Sequence, residues 1–135
     1  MIVAPKSTEL TQAIGLAYGS NNIVRGTNNV TVGLANTNTL YSFGSTAHPQ
    51  AYYCKSLTSG GYNTWYLPAK NELISMISNK NATPFATTNG MSSSDMYGSS
   101  TEYDGSGSYV WGIAVSGTST PNKTDKTAIR AVRMV

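Results

Sequence analysis

Few side chains in this sequence have the types and spacing to do chemistry. There is one histidine, His48, and one cysteine, Cys54. A serine hydrolase would need His48 as its general base, but His48 stands before Pro49 in a polar loop and no Gly-x-Ser-x-Gly elbow accompanies it. The expectation is an exposed loop histidine. Cys54 falls on the apolar stripe of a predicted helix, where a free thiol behaves as a small hydrophobe. One cysteine forms no internal disulfide, and one of each residue builds neither a cysteine zinc site nor a multi-histidine centre. Glu102 and Asp104 are two apart and share one side of a strand. Such a pair suits calcium or acid–base work. Asp95, Asn89 and Asn122 are the further oxygens on offer, and they complete no evident ligand set. No catalytic residue, metal or cofactor is expected.

A structural role explains Glu102 better. Along Ile129–Arg133 the strand alternation puts Arg130 and Arg133 on opposite faces. At least one then faces the interior and needs an anionic partner. With 6 carboxylates in the chain, Glu102 is the expected partner of one arginine. Trp65, just before a predicted helix, reads as a core anchor rather than a stacking platform.

The stretch 89–126 is different. Tyr97, Tyr103, Tyr109 and Trp111 stand among Ser, Gly, Thr, Asn and Asp. Tyrosine supplies contact area at low entropic cost and the small polar residues adapt their hydrogen bonds. Tyr97 and Trp111 are expected in the core. Tyr103 and Tyr109 are the expected aromatic anchors of a ligand surface, with Asn122, Lys123 and Lys126 as its polar rim.

The elements that must position these residues are only partly legible. The chain has 135 residues and a net charge of +3, with 11% charged residues. Ser, Thr, Asn and Gly number 17, 17, 12 and 13. That composition suits a loop-rich domain with a polar, weakly charged surface, and it lacks the dense Lys/Arg footprint of a nucleic-acid binder. No apolar run approaches the roughly 20 residues that span a bilayer, and the first residues do not form a signal peptide. Ile2–Ala4 reads as a strand ended by Pro5. Residues 8–18 keep helical spacing at Leu10, Ala13, Ile14 and Ala17, which predicts a helix in spite of Gly15. Residues 19–46 read as short irregular strands and turns. Pro49–Leu57 reads as a helix stopped by Thr58–Gly61. Trp65–Leu67 reads as a strand. Pro68 opens a second helix running to about Lys80, with Leu73, Ile74, Met76 and Ile77 inward. Met96–Thr101, Tyr109–Val115 and Ala128–Met134 read as strands, and Ser116–Thr127 as a polar loop. Segregated elements of this kind predict an α+β domain.

Four segments in this order carry a resemblance: Ala51–Cys54 through Gly60–Tyr62, Trp65–Leu73, Ser99–Glu102 and Ile129–Arg133. Together they resemble the DUF1566 domains, which include the C-terminal domain of the Legionella collagen-like adhesin and domains of phage tail-fibre and bacterial surface proteins. Where the family often has a tryptophan before the Ser-Ser-Thr run, this chain has Tyr97-Gly98. The resemblance implies a C-type-lectin-like fold over residues 1–135, as the C-terminal part of a longer fibre protein. It implies two helices on short antiparallel strands with long irregular loops. It also implies a non-enzymatic receptor-recognition domain on a virion tail fibre or a bacterial surface. The expected partner is a cell-surface glycan or protein, and the expected assembly a homotrimer, with no nucleic acid and no membrane insertion. The alternative is a trimerisation or folding cap without a ligand of its own.

Overall fold

A computed structural model describes residues 1–78, 90–92 and 94–135. The chain is mixed α/β with antiparallel sheets. Its two ends lie side by side: β1 (Ile2–Val3) pairs antiparallel with β5 (Val132–Arg133), Ile2 opposite Arg133. Among the described residues three α-helices follow β1: α1 (Gly33–Tyr41), α2 (Pro49–Ser56) and α3 (Lys70–Ser78). A three-stranded sheet then forms from β2 (Tyr97–Glu102), β3 (Val110–Ala114) and β4 (Gly117–Ser119), in the order β2-β3-β4.

Two expectations about residues 8–46 are corrected. Residues 8–18 do not form a helix. They carry a short 3₁₀ turn at Gln12–Ile14, and Leu10 and Leu16 bridge Ile129 and Thr127 on the C-terminal segment. Leu10 and Ile129 exchange backbone hydrogen bonds of 3.1 and 2.9 Å. Gly15 permits this approach, since a β-carbon there would lie 2.0 Å from the carbonyl oxygen of Thr127. The apolar spacing that suggested a helix instead lays one irregular segment on another. Conversely, residues 19–46 contain α1, which their Asn/Thr-rich composition does not suggest.

Glu72 explains why α1 forms. Its Oε1 accepts the amide of Gly33 at 2.8 Å, in the first turn of α1. The same oxygen accepts the amide of Ala69 at 2.9 Å, just before α3. One carboxylate thus satisfies an orphan donor at the start of each of two helices, with favourable dipole interactions at both. Tyr66 Oη donates to its other oxygen at 2.7 Å. A β-carbon on Gly33 would lie 2.2 Å from Leu67 O, so only glycine lets α1 abut the Trp65–Ala69 segment.

That segment is a single bridge rather than a strand. Tyr66 and Val132 exchange backbone bonds of 2.8 and 3.0 Å. Trp65 is buried and donates Nε1–H to Ser59 O at 3.1 Å. Cys54, Leu67, Ile129 and Ala131 pack with Trp65 in one apolar cluster. Leu73, Met76, Tyr97, Ile113 and Val132 build another. Each fully buried side chain of this size contributes about 1.5–3 kcal/mol. Of the residues expected inward on α3, Leu73, Met76 and Ile77 are buried while Ile74 is exposed. The predicted end of that helix at Lys80 lies outside the described residues. The predicted loop 116–127 contains β4, and the predicted strand 128–134 reduces to β5 with bridges at Ala128 and Ile129.

Strand β2 is polar yet buried along its whole length. Its hydroxyls replace water. Ser99 Oγ donates to Trp111 O at 2.7 Å and Thr101 Oγ1 to Asn29 O at 2.9 Å. Thr101 Oγ1 also accepts the amide of Lys70 at 3.1 Å, and the amide of Ser100 donates to Pro68 O at 2.9 Å. Buried polar groups persist because they are paired in this way. The strand ties α3 and the loop before α1 to one scaffold and ends by delivering Glu102 to the loops.

Candidate functional site: the loop face around Glu102

Glu102 does not pair with an arginine. Its partner is Lys123, whose Nζ lies 2.5 Å from Oε2 with both side chains fully buried. The carboxylate also accepts three consecutive amides: Arg25 at 2.9 Å, Gly26 at 2.7 Å and Thr27 at 3.1 Å. Gly26, with φ +75, turns the chain to present them. Burial pushes the carboxyl pKa upward, but the Lys123 ammonium and the amides outweigh it and hold the pKa below the ordinary 4.5. Lys123 spends another proton on Ile23 O at 2.7 Å. Lys123 is therefore no exposed rim residue. It is an internal strut that fixes the 23–27 loop.

The buried arginine is Arg130, and its carboxylate is Glu9 at 3.3 Å. Its Nε donates to Ala4 O at 2.7 Å. Tyr97 Oη donates to the same Glu9 at 2.5 Å. Glu9 escaped the sequence reading because it lies in the segment taken for a helix. Arg133 is half-buried, its guanidinium 3.5 Å from the ring centroid of Tyr62 and 5.6 Å from that of Trp65.

The structure brings Tyr103, Tyr109 and Asn122 together. Tyr109 bridges Asn122, and the amide of Tyr103 donates to Tyr109 O at 3.2 Å. Tyr109 is 46% exposed. Tyr103 is half-buried, edge-on to Trp111 at 5.0 Å between ring centroids. Trp111 is itself half-buried rather than core, and Lys70 Nζ lies 3.6 Å from its ring centroid. The Asn122 side chain is spent on its own turn, where Oδ1 accepts from the amide and hydroxyl of Thr124. Lys126 lines a separate cleft of about 420 Å³ with Gln12, Met96, Ser119, Pro121 and Asp125.

The 23–27 loop belongs to the same face, and sequence reasoning missed it. A β-carbon on Gly107 would lie 3.1 Å from the backbone of Asn22, so the 103–109 turn rests on this loop. Ile23 and Val24 are 40% and 57% exposed. Beside them, Arg25 lies with its guanidinium carbon 3.7 Å from the ring centroid of Phe43 and donates Nε–H to His48 Nε2 at 2.9 Å.

His48 is buried, contrary to expectation. Its Nδ1 lies 2.9 Å from Tyr18 O, a pure acceptor, so Nδ1 carries the proton and Nε2 accepts from Arg25. Burial lowers its pKa from the ordinary 6.5, and the Arg25 and Lys123 charges lower it further. The imidazole is neutral. The available signal was the His-Pro pair itself, which places His48 at the start of α2 with proline in the first turn.

Three of the groups with catalytic chemistry, His48, Cys54 and Glu102, are engaged or buried. Both His48 nitrogens are engaged, the Cys54 thiol is fully buried and its pKa pushed up by burial. Glu102 is spent on Lys123 and the amides, so it makes no open pair with exposed Asp104. Asn89, the other oxygen considered for calcium, lies outside the described residues. Among the described residues no group of three or more His, Cys, Asp or Glu could hold a metal, and no helix is long and apolar enough to cross a membrane.

Buried ion pairs thus stand behind loops that expose Ile23, Val24 and Tyr109. The chain matches the family described as the Lcl C-terminal domain over residues 8–135, and it belongs to that family. Its fold is similar to that of a fimbrial protein from Bacteroides ovatus ATCC 8483, with a TM-score of 0.53 and 22% identity. The likeness covers 73% of this chain and 24% of that one, so this chain spans about a quarter of that protein. None of the curated proteins matches the chain.

Proposed function

We propose that this chain is a non-enzymatic recognition domain of a surface adhesin or fibre, with its ligand surface on the loop face of Ile23–Thr27, Tyr103, Tyr109 and Asn122. The observation that carries the reading is the use of a buried, fully engaged ion pair, Lys123–Glu102, to fix loops that expose Ile23, Val24 and Tyr109. Burying two charges is costly, and here the geometry they impose is spent on an outward loop rather than on the core. Membership of the Lcl C-terminal domain family and the likeness to a fimbrial fold support a surface setting. We read the paired chain ends, the helices and the β2-β3-β4 sheet with its long loops as a C-type-lectin-like arrangement. The partner in this reading is a cell-surface glycan or protein, and the domain works as a homotrimer on a bacterial surface or a virion fibre. Exposed edge strand β4 is the surface a neighbouring copy would cover.

The test is binding of purified protein to whole cells and to a glycan array, with Tyr103→Ala and Tyr109→Ala variants first shown to melt like the parent. Loss of binding in either variant supports the loop face. Parental binding in both moves the site elsewhere. Absence of any binding by the parent favours the passive cap.

A further inference from the structure

We propose that Arg25 is the recognition residue of a carboxylate-binding site on the loop face, taking a carboxylate carried on an apolar body. The inference rests on the reading of that face as a ligand surface and names its ligand chemistry.

Arg25 is held at three points. Its backbone amide is fixed by Glu102, its Nε–H by His48, and its guanidinium plane by Phe43 at 3.7 Å. Among the described residues the Arg25 side chain donates one hydrogen bond, from Nε to His48, and neither terminal amino group donates one. Among the described residues the salt bridges are Lys6–Glu9, Arg130–Glu9 and Lys123–Glu102, and none includes Arg25. The 11 residues 79–89 and Ser93 contain no carboxylate, so no acidic residue of the chain forms one with it. The nearby acid, Glu102, is already neutralised by Lys123. The site therefore keeps an uncompensated positive charge.

The geometry selects the ligand. With Nε engaged, the end-on edge of the guanidinium remains, and its two parallel N–H groups match the two oxygens of a carboxylate. A side chain already immobilised loses little rotamer freedom on binding, which favours affinity. Val24, Phe43 and Ile23 are 57%, 48% and 40% exposed beside it. An apolar body attached to the carboxylate would cover them.

His48 is the positioning residue. Arg25 and Lys123 face it as cations, Glu102 as an anion, and Tyr18 and Phe43 as neutral rings. A protonated imidazole loses its acceptor at Nε2 and repels the guanidinium, so acid releases Arg25 from its fixed pose.

The experiment is a heteronuclear NMR titration of the whole chain with N-acetylphenylalanine. Its controls are the uncharged amide of the same compound and inorganic sulfate at matched ionic strength. The expected result is saturable shifts at residues 23–27 and Phe43 with the carboxylate alone. Arg25→Lys, which keeps the charge but loses the fork, should bind at least about tenfold more weakly. Phe43→Ala, which removes the ring bed but leaves the guanidinium, should weaken binding less. Parental binding should decline as pH falls from about 7 to about 5, a range in which the probe stays ionised. His48→Gln, which offers a donor and an acceptor without titrating, should flatten that decline. Equal binding of the amide would mean an apolar patch only, and equal binding of sulfate a general anion site. Either result, or unchanged affinity in Arg25→Lys, overturns the proposal. Because the probe is a small molecule and the protein is isolated, such a failure leaves the whole-cell test of the loop face untouched.

Discussion

The two buried cation–carboxylate pairs are built alike and used differently. Arg130–Glu9 joins the N-terminal segment to the segment before β5, and Tyr97 from β2 donates to the same carboxylate. Lys123–Glu102 joins the end of β2 to two loops. In the first pair the cation is well supplied without its carboxylate, since Arg130 also donates to Ala4 O and Gly90 O. In the second the carboxylate is the hub: three loop amides and the ammonium all end on it. The first pair closes a framework. The second imposes a shape on a loop whose sequence would not hold it alone.

The largest effect is expected at Glu102. Glu102→Gln leaves Lys123 buried with one carbonyl acceptor and weakens the bonds from three amides. Removing one partner of a buried pair costs about 3–5 kcal/mol. Thermal or denaturant unfolding should show a loss of that size, and amide exchange of Arg25, Gly26 and Thr27 should rise most. A variant that melts like the parent would show that the 23–27 loop holds itself.

Glu9→Gln should cost less, about 1–3 kcal/mol, because Arg130 keeps its carbonyl acceptors. Its damage should fall on the β1–β5 end and leave the exchange of residues 25–27 nearly parental. If Glu9→Gln proves the more harmful, the hub assignment belongs to Glu9 instead.

These two carboxylates also mark how far the sequence could be read. Glu102 was identifiable as a buried structural acid from the scarcity of carboxylates, and the need for a partner at Arg130 followed from strand alternation. The partners were exchanged because pairing depends on non-local geometry: Glu9 lies 121 residues from Arg130 in sequence. Pro49–Ser56, Lys70–Ser78 and β2 were legible because periodicity and terminal residues agree there. Helix α1 was not legible, since its start is satisfied by Glu72 from 39 positions away and its approach depends on Gly33. Tyr103, Tyr109 and Asn122 were named in the sequence and do gather. Arg25 and Phe43 were not named, because only the tertiary fold brings them to His48.

The smallest effect should separate the two regions by acidity alone. His48 has a pKa lowered from 6.5 by burial and then by Arg25 and Lys123, so the open form binds a proton more readily than the closed one. Between the folded pKa and about 6.5, acidification therefore favours opening, and protection rises again with pH. Glu102 acts in the same direction but later. Its pKa is held below 4.5 against the upward push of burial, chiefly by Lys123, so its contribution is full above that value and fades as pH falls below it. Arg130 keeps its charge from about pH 7 to about pH 5. On moving from about pH 7 to about pH 5, amide exchange at residues 25–27, corrected for its intrinsic pH dependence, should show a modest loss of protection. The β1–β5 amides should stay protected. In His48→Gln the early loss should vanish while the later one, below pH 4.5, remains. Simultaneous loss at both ends in the parent would mean that the loop face and the framework open as one unit, and the contrast between the two buried pairs would then have no dynamic consequence.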